Sequence, residues 1–460
     1  MQRVQTQSSK VAERSIVGLI WLALVALVTA VAAQDAYLAG SGLSVAIGLL
    51  TIFVAATVAT FSLRYMRSDP QSRRFFLTLG ALVIAVLAFL FTGNLLVFAL
   101  AWTASGVLLA KLIGHQANWV EADLAARRTR RAFLLGDAAL LGALALLGWQ
   151  AGSVQIGEIG ARAATLPPLT INLAAVLLVI AAAARCALPP FSSWLLSSMT
   201  APTPVSALMH AGFVNAGGFL LIRFAPILEA APAARFAAVA LGLFAAIYGI
   251  GISMVRPDVK RALAGSTISQ MGFMIMSCGL GAYAAALWHI VAHGLFKAWL
   301  FLGSGSTIGI KPDKSAAILS GRAALLIAAG TAGLALSLFS FGAGEASLIP
   351  LLLGVATAAA TLIAALGGKL AVRAKAGLAF VIVALMAFHG VGLALAGMAL
   401  GLDAAPILPD GALVALLMVF LAAWAWQQQR LASGRGLPLP LYVHFINAGA
   451  LPVIRKGDDK

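Results

Sequence analysis

The sequence predicts an all-α polytopic membrane bundle of about 14 transmembrane helices, and three observations carry that prediction. First, 62% of the 460 residues are hydrophobic and only 10% are charged, with a mean hydropathy of +0.99. A soluble domain is only about half apolar. Second, apolar stretches long enough to cross a ~30 Å hydrocarbon core recur along the whole chain. Third, the basic residues fall on alternate connections between those stretches, as the positive-inside rule requires. The net charge of +16 is absorbed by that asymmetry, so the expected surroundings are a lipid bilayer and no nucleic acid. Cys186 and Cys278 both lie in apolar stretches, outside any CxxC pair, which excludes a disulfide framework or a zinc knuckle.

The elements follow in order from this alternation. The polar opening MQRVQTQSSKVAERS, with Arg3, Lys10 and Arg14, leads into a first span at 15–33; no small-residue cleavage site follows, so this span is expected to be retained. A second span at 43–63 ends on Arg64, Arg67, Arg73 and Arg74. The third and fourth, 75–91 and 95–113, lead to Lys111 and the cluster Arg127, Arg128, Arg130 and Arg131. Spans five to eight, at 131–149, 170–188, 203–225 and 235–254, lead to Arg256, Lys260 and Arg261. Spans nine and ten (259–280, 283–307) lead to Lys311, Lys314 and Arg322, spans eleven and twelve (322–341, 346–367) to Lys369, Arg373 and Lys375, and spans thirteen and fourteen (376–400, 411–427) to a basic tail. The opposite connections hold only Arg162, Arg223 and Arg235, set against Asp35, Glu158, Glu229, Glu345, Asp403 and Asp410. Both termini are therefore expected in the cytoplasm, which requires an even number of spans.

No connection is long enough to fold a soluble core, so any cytoplasmic chemistry is expected from a partner. The organisation reads as a two-span segment (1–74), a five-helix repeat (75–227), a second five-helix repeat (228–370), a further two-span segment (371–428) and a cytoplasmic tail (429–460). Because five is odd, the second repeat enters the membrane from the opposite side, as inverted-repeat transporters require. The sixth span ends in AAAARCALPPFSSWLL, where Pro189 and Pro190 remove two backbone donors and must break the helix. The eleventh closes with SLFSFGAGEAS, where Gly342 and Gly344 permit a similar interruption.

Ionisable residues within a bilayer are costly and therefore mark function. The strongest group is in LWHIVAHGLFKAWLFLGSGS, where His289, His293 and Lys297 recur every fourth residue and form one stripe. Two imidazoles and an amine at that spacing suit proton transfer through water. Satisfying a neighbouring backbone is the bland alternative, and a metal site is the weaker one, since no carboxylate or thiolate accompanies the histidines. Asp137, in RRAFLLGDAALL, lies ~9 Å along its helix from Arg131. Arg185 sits in the same half of the membrane, just before the Pro-Pro break, so the two are expected to pair. An arginine keeps its charge, so it can set the state of its neighbours without carrying a proton; its alternative role is snorkelling towards the interface. His210, in APTPVSALMHAGFVNAGG, is a further candidate, with a satisfied core histidine as the alternative.

The runs WLLSSMTAPTPVSALMHAGFVNAGGFLLIR, DVKRALAGSTISQMGFM and HIVAHGLFKAWLFLGSGS resemble the proton-antiporter-type membrane subunits of respiratory complex I, Mrp-type cation antiporters and the DAB inorganic carbon transporters. With RYMRSDPQSRRFF and TGNLLVFALAWTASG, the resemblance covers roughly residues 50–310. It implies two inverted five-helix units with a central row of charged groups, in which Lys297, His289, His293 and His210 match proton-pathway positions and Asp137 matches an acidic residue beside them. It also implies the bacterial inner membrane.

The departures are informative. Thr103 follows Trp102 where complex I subunits have a glutamate, Arg185 replaces the first-unit lysine, and FSFGAGEAS offers no match for the second-unit lysine. This edited pattern is most similar to the membrane subunit of the DAB transporters. That implies a large cytoplasmic DabA-like zinc protein as partner, carrying the zinc and performing CO2 hydration. This chain would bind no cofactor or metal, have no catalytic site, and conduct protons or sodium ions to drive bicarbonate accumulation. Two other expectations stand beside it: an ion-pumping or antiporter subunit of a complex I or Mrp-type assembly, and a non-conducting anchor for a soluble enzyme.

Overall fold

The computed structural model describes residues 2–33, 42–116, 118–307, 372–402, 404–432 and 436–450. The apolar stretches fold as helices because a bilayer offers the backbone no other hydrogen-bond partner. In order they are α1 (Gln2–Ala32), α2 (Gly42–Tyr65), α3 (Ser72–Phe91), α4 (Leu95–Ile113), α5 (Val120–Ala151), the short α6 (Ile156–Ala161), α7 (Pro168–Arg185), α8 (Ser193–Ser197), α9 (Thr203–Ala211), α10 (Ala216–Arg223), α11 (Ala225–Glu229), α12 (Pro232–Val255), α13 (Val259–Leu280) and α14 (Tyr283–Leu302). Beyond the undescribed stretch come α15 (Val372–Leu400), α16 (Asp410–Ala432) and α17 (Leu439–Asn447).

Among the described residues, 10 helical segments are long and apolar enough to cross a membrane, and they match the first ten expected spans one for one. The thirteenth and fourteenth fall within α15 and α16. The eleventh and twelfth, with Gly342, Gly344 and Glu345, lie outside the described residues. The fold is therefore an all-helical membrane bundle.

Three local outcomes differ from the sequence reading. The connection before the fifth span is shorter than expected, because α5 begins at Val120 and takes the arginine cluster onto its first turns. Glu121 and Asp123 occupy its first turn, where negative charge favours the helix dipole, and Asp123 pairs with Arg127 at 2.7 Å one turn on. The sixth span stops at Arg185 rather than running to 188; Ala187 has a positive φ of 54° and Pro189-Pro190 is cis, after which a short helical segment resumes at Ser193. The seventh span is itself interrupted, by the 3₁₀ turn Phe213–Asn215 between α9 and α10. There the Asn215 side-chain amide donates to the Ala211 carbonyl at 2.8 Å, returning a partner to a buried group.

Close helix contact is made by small residues, as expected where lipid supplies no hydrophobic drive between helices. A Cβ on Gly249 of α12 would lie 2.3 Å from the Ser269 nitrogen of α13, so these backbones touch. The few arginines on the acidic connections are spent on backbone carbonyls: Arg162 on Ala151, Arg223 on Thr92 at 3.0 Å and Arg235 on Gly279 at 3.0 Å, all at helix ends, and Arg235 also on Ala405 at 2.9 Å in the loop before α16. On the arginine-rich face, Arg128 donates to the Gly449 and Ala450 carbonyls, each at 3.1 Å, and Arg256 donates to Ala448, tying down the end of α17.

The topology has a direct test. Cysteines introduced at the exposed Arg130 and at Gln427 are expected to stay unlabelled by an impermeant reagent on intact cells and to react once the membrane is opened. Labelling from outside would refute cytoplasmic placement of that face.

Candidate functional site

Among the described residues, two groups of ionisable side chains come together across helices inside the bundle. The first is built where α4, α5 and α7 meet. Arg185, the last residue of α7, is only 1% exposed, and its Nη2 donates to Asp137 Oδ1 of α5 at 2.9 Å and to the Trp102 carbonyl of α4 at 2.7 Å. Its Nη1 approaches Ser105 Oγ at 3.4 Å. The same Asp137 oxygen accepts the Trp102 indole N–H at 3.0 Å. The guanidinium is enclosed by the rings of Trp102, Phe133 and Phe213, with centroids 4.6, 4.7 and 4.9 Å from its carbon. Such burial suits a guanidinium, which is weakly hydrated and stacks on aromatic faces. Two glycines make the space: a Cβ on Gly106 would come within 2.9 Å of Nη1, and one on Gly136 within 2.5 Å of the Ala184 Cβ. Arg185 does not snorkel; it is a fixed cation with a carboxylate partner.

The second group joins α9, α13 and α14. Lys297 of α14 is 1% exposed, and its ammonium donates to the Leu263 carbonyl and to Ser266 Oγ of α13, both at 3.1 Å. Thr267 Oγ1 donates to that same Leu263 carbonyl at 2.9 Å and meets His210 Nδ1 at 3.0 Å. Because the threonine proton is committed to Leu263, its oxygen accepts and His210 Nδ1 donates to it. His210 is fully buried, stacks on Phe301 at 4.1 Å, and its Nε2 has no partner among the described residues. Thr267 and Leu263 therefore bridge His210 and Lys297.

Along α14 the stripe continues from Lys297 to His293 and His289, whose rings stack at 5.6 Å. Both His293 ring nitrogens and His289 Nε2 are buried without a protein partner among the described residues. An unpaired buried polar atom costs about 1–3 kcal/mol. Among the described residues His293 engages neither nitrogen, whereas His289 gives one to the Gln270 backbone and leaves Nε2 without a partner, so satisfying a neighbouring backbone accounts for only part of the stripe. The arrangement can take up, hold and pass a proton along one helix face.

All six sequence candidates are thus placed: Asp137 with Arg185, His210 with Lys297, and His293 with His289. Among the described residues no hydrogen bond or ion pair joins the first pair to the others. Sequence reasoning did not find Ser266, Thr267 and Leu263, which act through hydroxyls and a carbonyl and carry no charge signal. It also missed His389 of α15, whose Nδ1 accepts the Trp288 indole N–H at 2.7 Å. Among the described residues no three His, Cys, Asp or Glu side chains group as metal ligands would. Outside the spans, burial raises the Glu229 carboxyl above its ordinary range, against the pull of Arg235.

Comparison with known proteins gives the family and the fold. Residues 92–320 match the NADH:quinone oxidoreductase/Mrp antiporter membrane family, and residues 36–76 match the N-terminus of NADH-ubiquinone oxidoreductase (complex I) chain 5. The probable inorganic carbon transporter subunit DabB1 of Halothiobacillus neapolitanus is 38% identical over 272 residues, covering 58% of this chain and 49% of the relative. The corresponding DabB of Bacillus subtilis is 41% identical over 293 residues, 59% and 56% of the two chains. NADH-quinone oxidoreductase subunit L of Mycobacterium tuberculosis is 35% identical over 301 residues, 64% and 47%. The chain spans about half the length of these curated relatives. Among solved structures, the Mrp complex from Dietzia sp. DQ12-45-1b superposes with a TM-score of 0.60 at 22% identity, over 88% of this chain and 54% of that one.

Proposed function

The chain belongs to the proton-antiporter-type membrane subunits, whose family models match more than half of it, and from that premise we propose that it is the ion-conducting membrane subunit of a complex that accumulates inorganic carbon. Its place is the bacterial inner membrane with both termini in the cytoplasm. The catalytic half is a large cytoplasmic zinc protein resembling a carbonic anhydrase. Hydration of CO2 yields bicarbonate and one proton, and inward ion flow through this chain holds that reaction in the accumulating direction.

The observation that carries the reading is the substitution of an amine that can lose its proton by the Arg185 guanidinium, enclosed by three rings and fixed on Asp137. A relay that must empty and refill cannot run through a permanently charged group. Among the described residues that leaves the His210–Lys297–His293–His289 group to conduct, which supports one conduit in this part of the chain rather than two coupled pump units. Similarity to several inorganic carbon transporter subunits supports the choice of cargo.

The test is co-reconstitution with the zinc protein in liposomes. Bicarbonate is expected to accumulate only under an inward ion gradient, and selective collapse of the proton or the sodium gradient identifies the ion. A second reading, a subunit of a complex I or Mrp-type assembly, is favoured by the identity to subunit L. It predicts cation/proton exchange or quinone-linked pumping and no CO2-dependent uptake.

A further inference from the structure

The arginine-rich face contains an open polar cavity that the ion pathway leaves unused. Its volume is about 800 Å³, and Tyr65, Asp69, Gln116, Trp119, Thr200 and Lys260 line it. One side is rigid: Asp69 accepts from the Gln71 backbone at 2.7 Å and from Gln116 Nε2 at 3.2 Å, and its carboxylate meets His115 Nε2 at 3.1 Å. His115 is buried and edge-on to Phe75 at 5.5 Å, so the loops before α3 and before α5 are tied together. The opposite wall, residues 199–202, joins the short second half of the broken helix to α9, the helix that carries His210.

The chemistry of the cavity is that of a recognition site. Lys260 is half-buried within it and has no hydrogen-bond or ion-pair partner among the described residues. Tyr65 and Trp119 stand 49% and 47% exposed at its edge, the residue types that anchor protein interfaces. Arg64 and Arg67, adjoining Tyr65, are exposed as well, so the surroundings are positive. Other arginines of this face are already engaged: Arg128 and Arg256 hold the end of α17.

We propose that this cavity is the docking port for an acidic loop of the cytoplasmic zinc protein, with Lys260 pairing a carboxylate of that loop and Trp119 covering it. Positive potential and an unpaired amine select an acidic segment over a neutral one. A loop seated there bears on residues 199–202 and hence on the position of α9, giving the partner mechanical access to His210. The inference rests on the partner proposed above and adds where that partner binds and through which element it acts.

The experiment uses the full chain co-expressed with the zinc protein and purified in mild detergent, with zinc per chain as the readout. Lys260→Glu is expected to lower co-purified zinc about ten-fold or more at normal membrane levels, while Lys260→Arg retains it. A photo-crosslinking residue at Trp119 should join the zinc protein, whereas one at the exposed Trp149, beside the opposite end of α5, should not. Wild-type zinc content in Lys260→Glu together with no crosslink at Trp119 overturns the port and leaves the proposed function standing. If the wild-type chain purifies with no zinc protein at all, both fall. If Lys260→Glu instead strips a bound anionic phospholipid, read by native mass spectrometry, and the zinc protein stays, the cavity seats lipid headgroups and the port is refuted.

Discussion

Replacing Lys297 by Met abolishes ion-driven uptake, by roughly a hundred-fold or more for loss of a group that takes up and releases the transferred proton. The variant is expected to insert and assemble normally. Methionine keeps an apolar stem of similar length, and the Leu263 carbonyl that Lys297 leaves behind still accepts from Thr267 at 2.9 Å. Only Ser266 loses a partner, and a hydroxyl can turn to a backbone carbonyl of its own helix. His293→Gln should impair flux less completely, since His289 and Lys297 remain on the stripe. Ion flux into liposomes containing the correctly inserted variants is the measurement. Wild-type flux through Lys297→Met would show that the stripe is structural.

The second large effect is at Arg185. Truncation to Ala leaves the Asp137 carboxylate buried with only the Trp102 indole as donor, and breaking a buried pair from one side costs about 3–5 kcal/mol if the charge persists. Activity is expected to fall, because the buried carboxylate has lost its cation. The double change Arg185→Ala with Asp137→Asn should then cost little more than Arg185→Ala alone, because both act through one contact at 2.9 Å. Losses that add independently would refute coupling. Arg185→Lys is expected to retain much of the activity, because the salt bridge is made by one nitrogen to one oxygen and an ammonium can reproduce it. What lysine loses is the fork that also reaches the Trp102 carbonyl and Ser105, together with the three enclosing rings.

The sequence was most informative where the bilayer constrains it. Ten described spans were legible from hydropathy and charge alternation because each must satisfy its own backbone, and His289, His293 and Lys297 were legible as a stripe because one helix carries all three. The interruption at residues 213–215 was not, since it depends on Asn215 reaching back to Ala211 and no proline announces it. The His210–Thr267–Leu263–Lys297 bridge was equally hidden: it spans three helices whose neighbourhood is a tertiary property. Sequence comparison pointed to a missing carboxylate after Trp102. In the folded chain the indole of that same tryptophan and Arg185 share one oxygen of Asp137, so the acid is supplied from the next helix.

The space left by Gly106 decides whether the guanidinium can keep its carboxylate. With arginine at 185, a methyl group at 106 would sit 2.9 Å from Nη1 and 3.1 Å from Nη2, displacing the guanidinium from the carboxylate. The same methyl would lie 3.1 Å from Phe133 Cδ2, so one of the rings around the guanidinium would have to give way as well. Glycine at 106 is therefore the clearance on α4 that lets a guanidinium, broader than an ammonium, lie against Asp137 and the three rings.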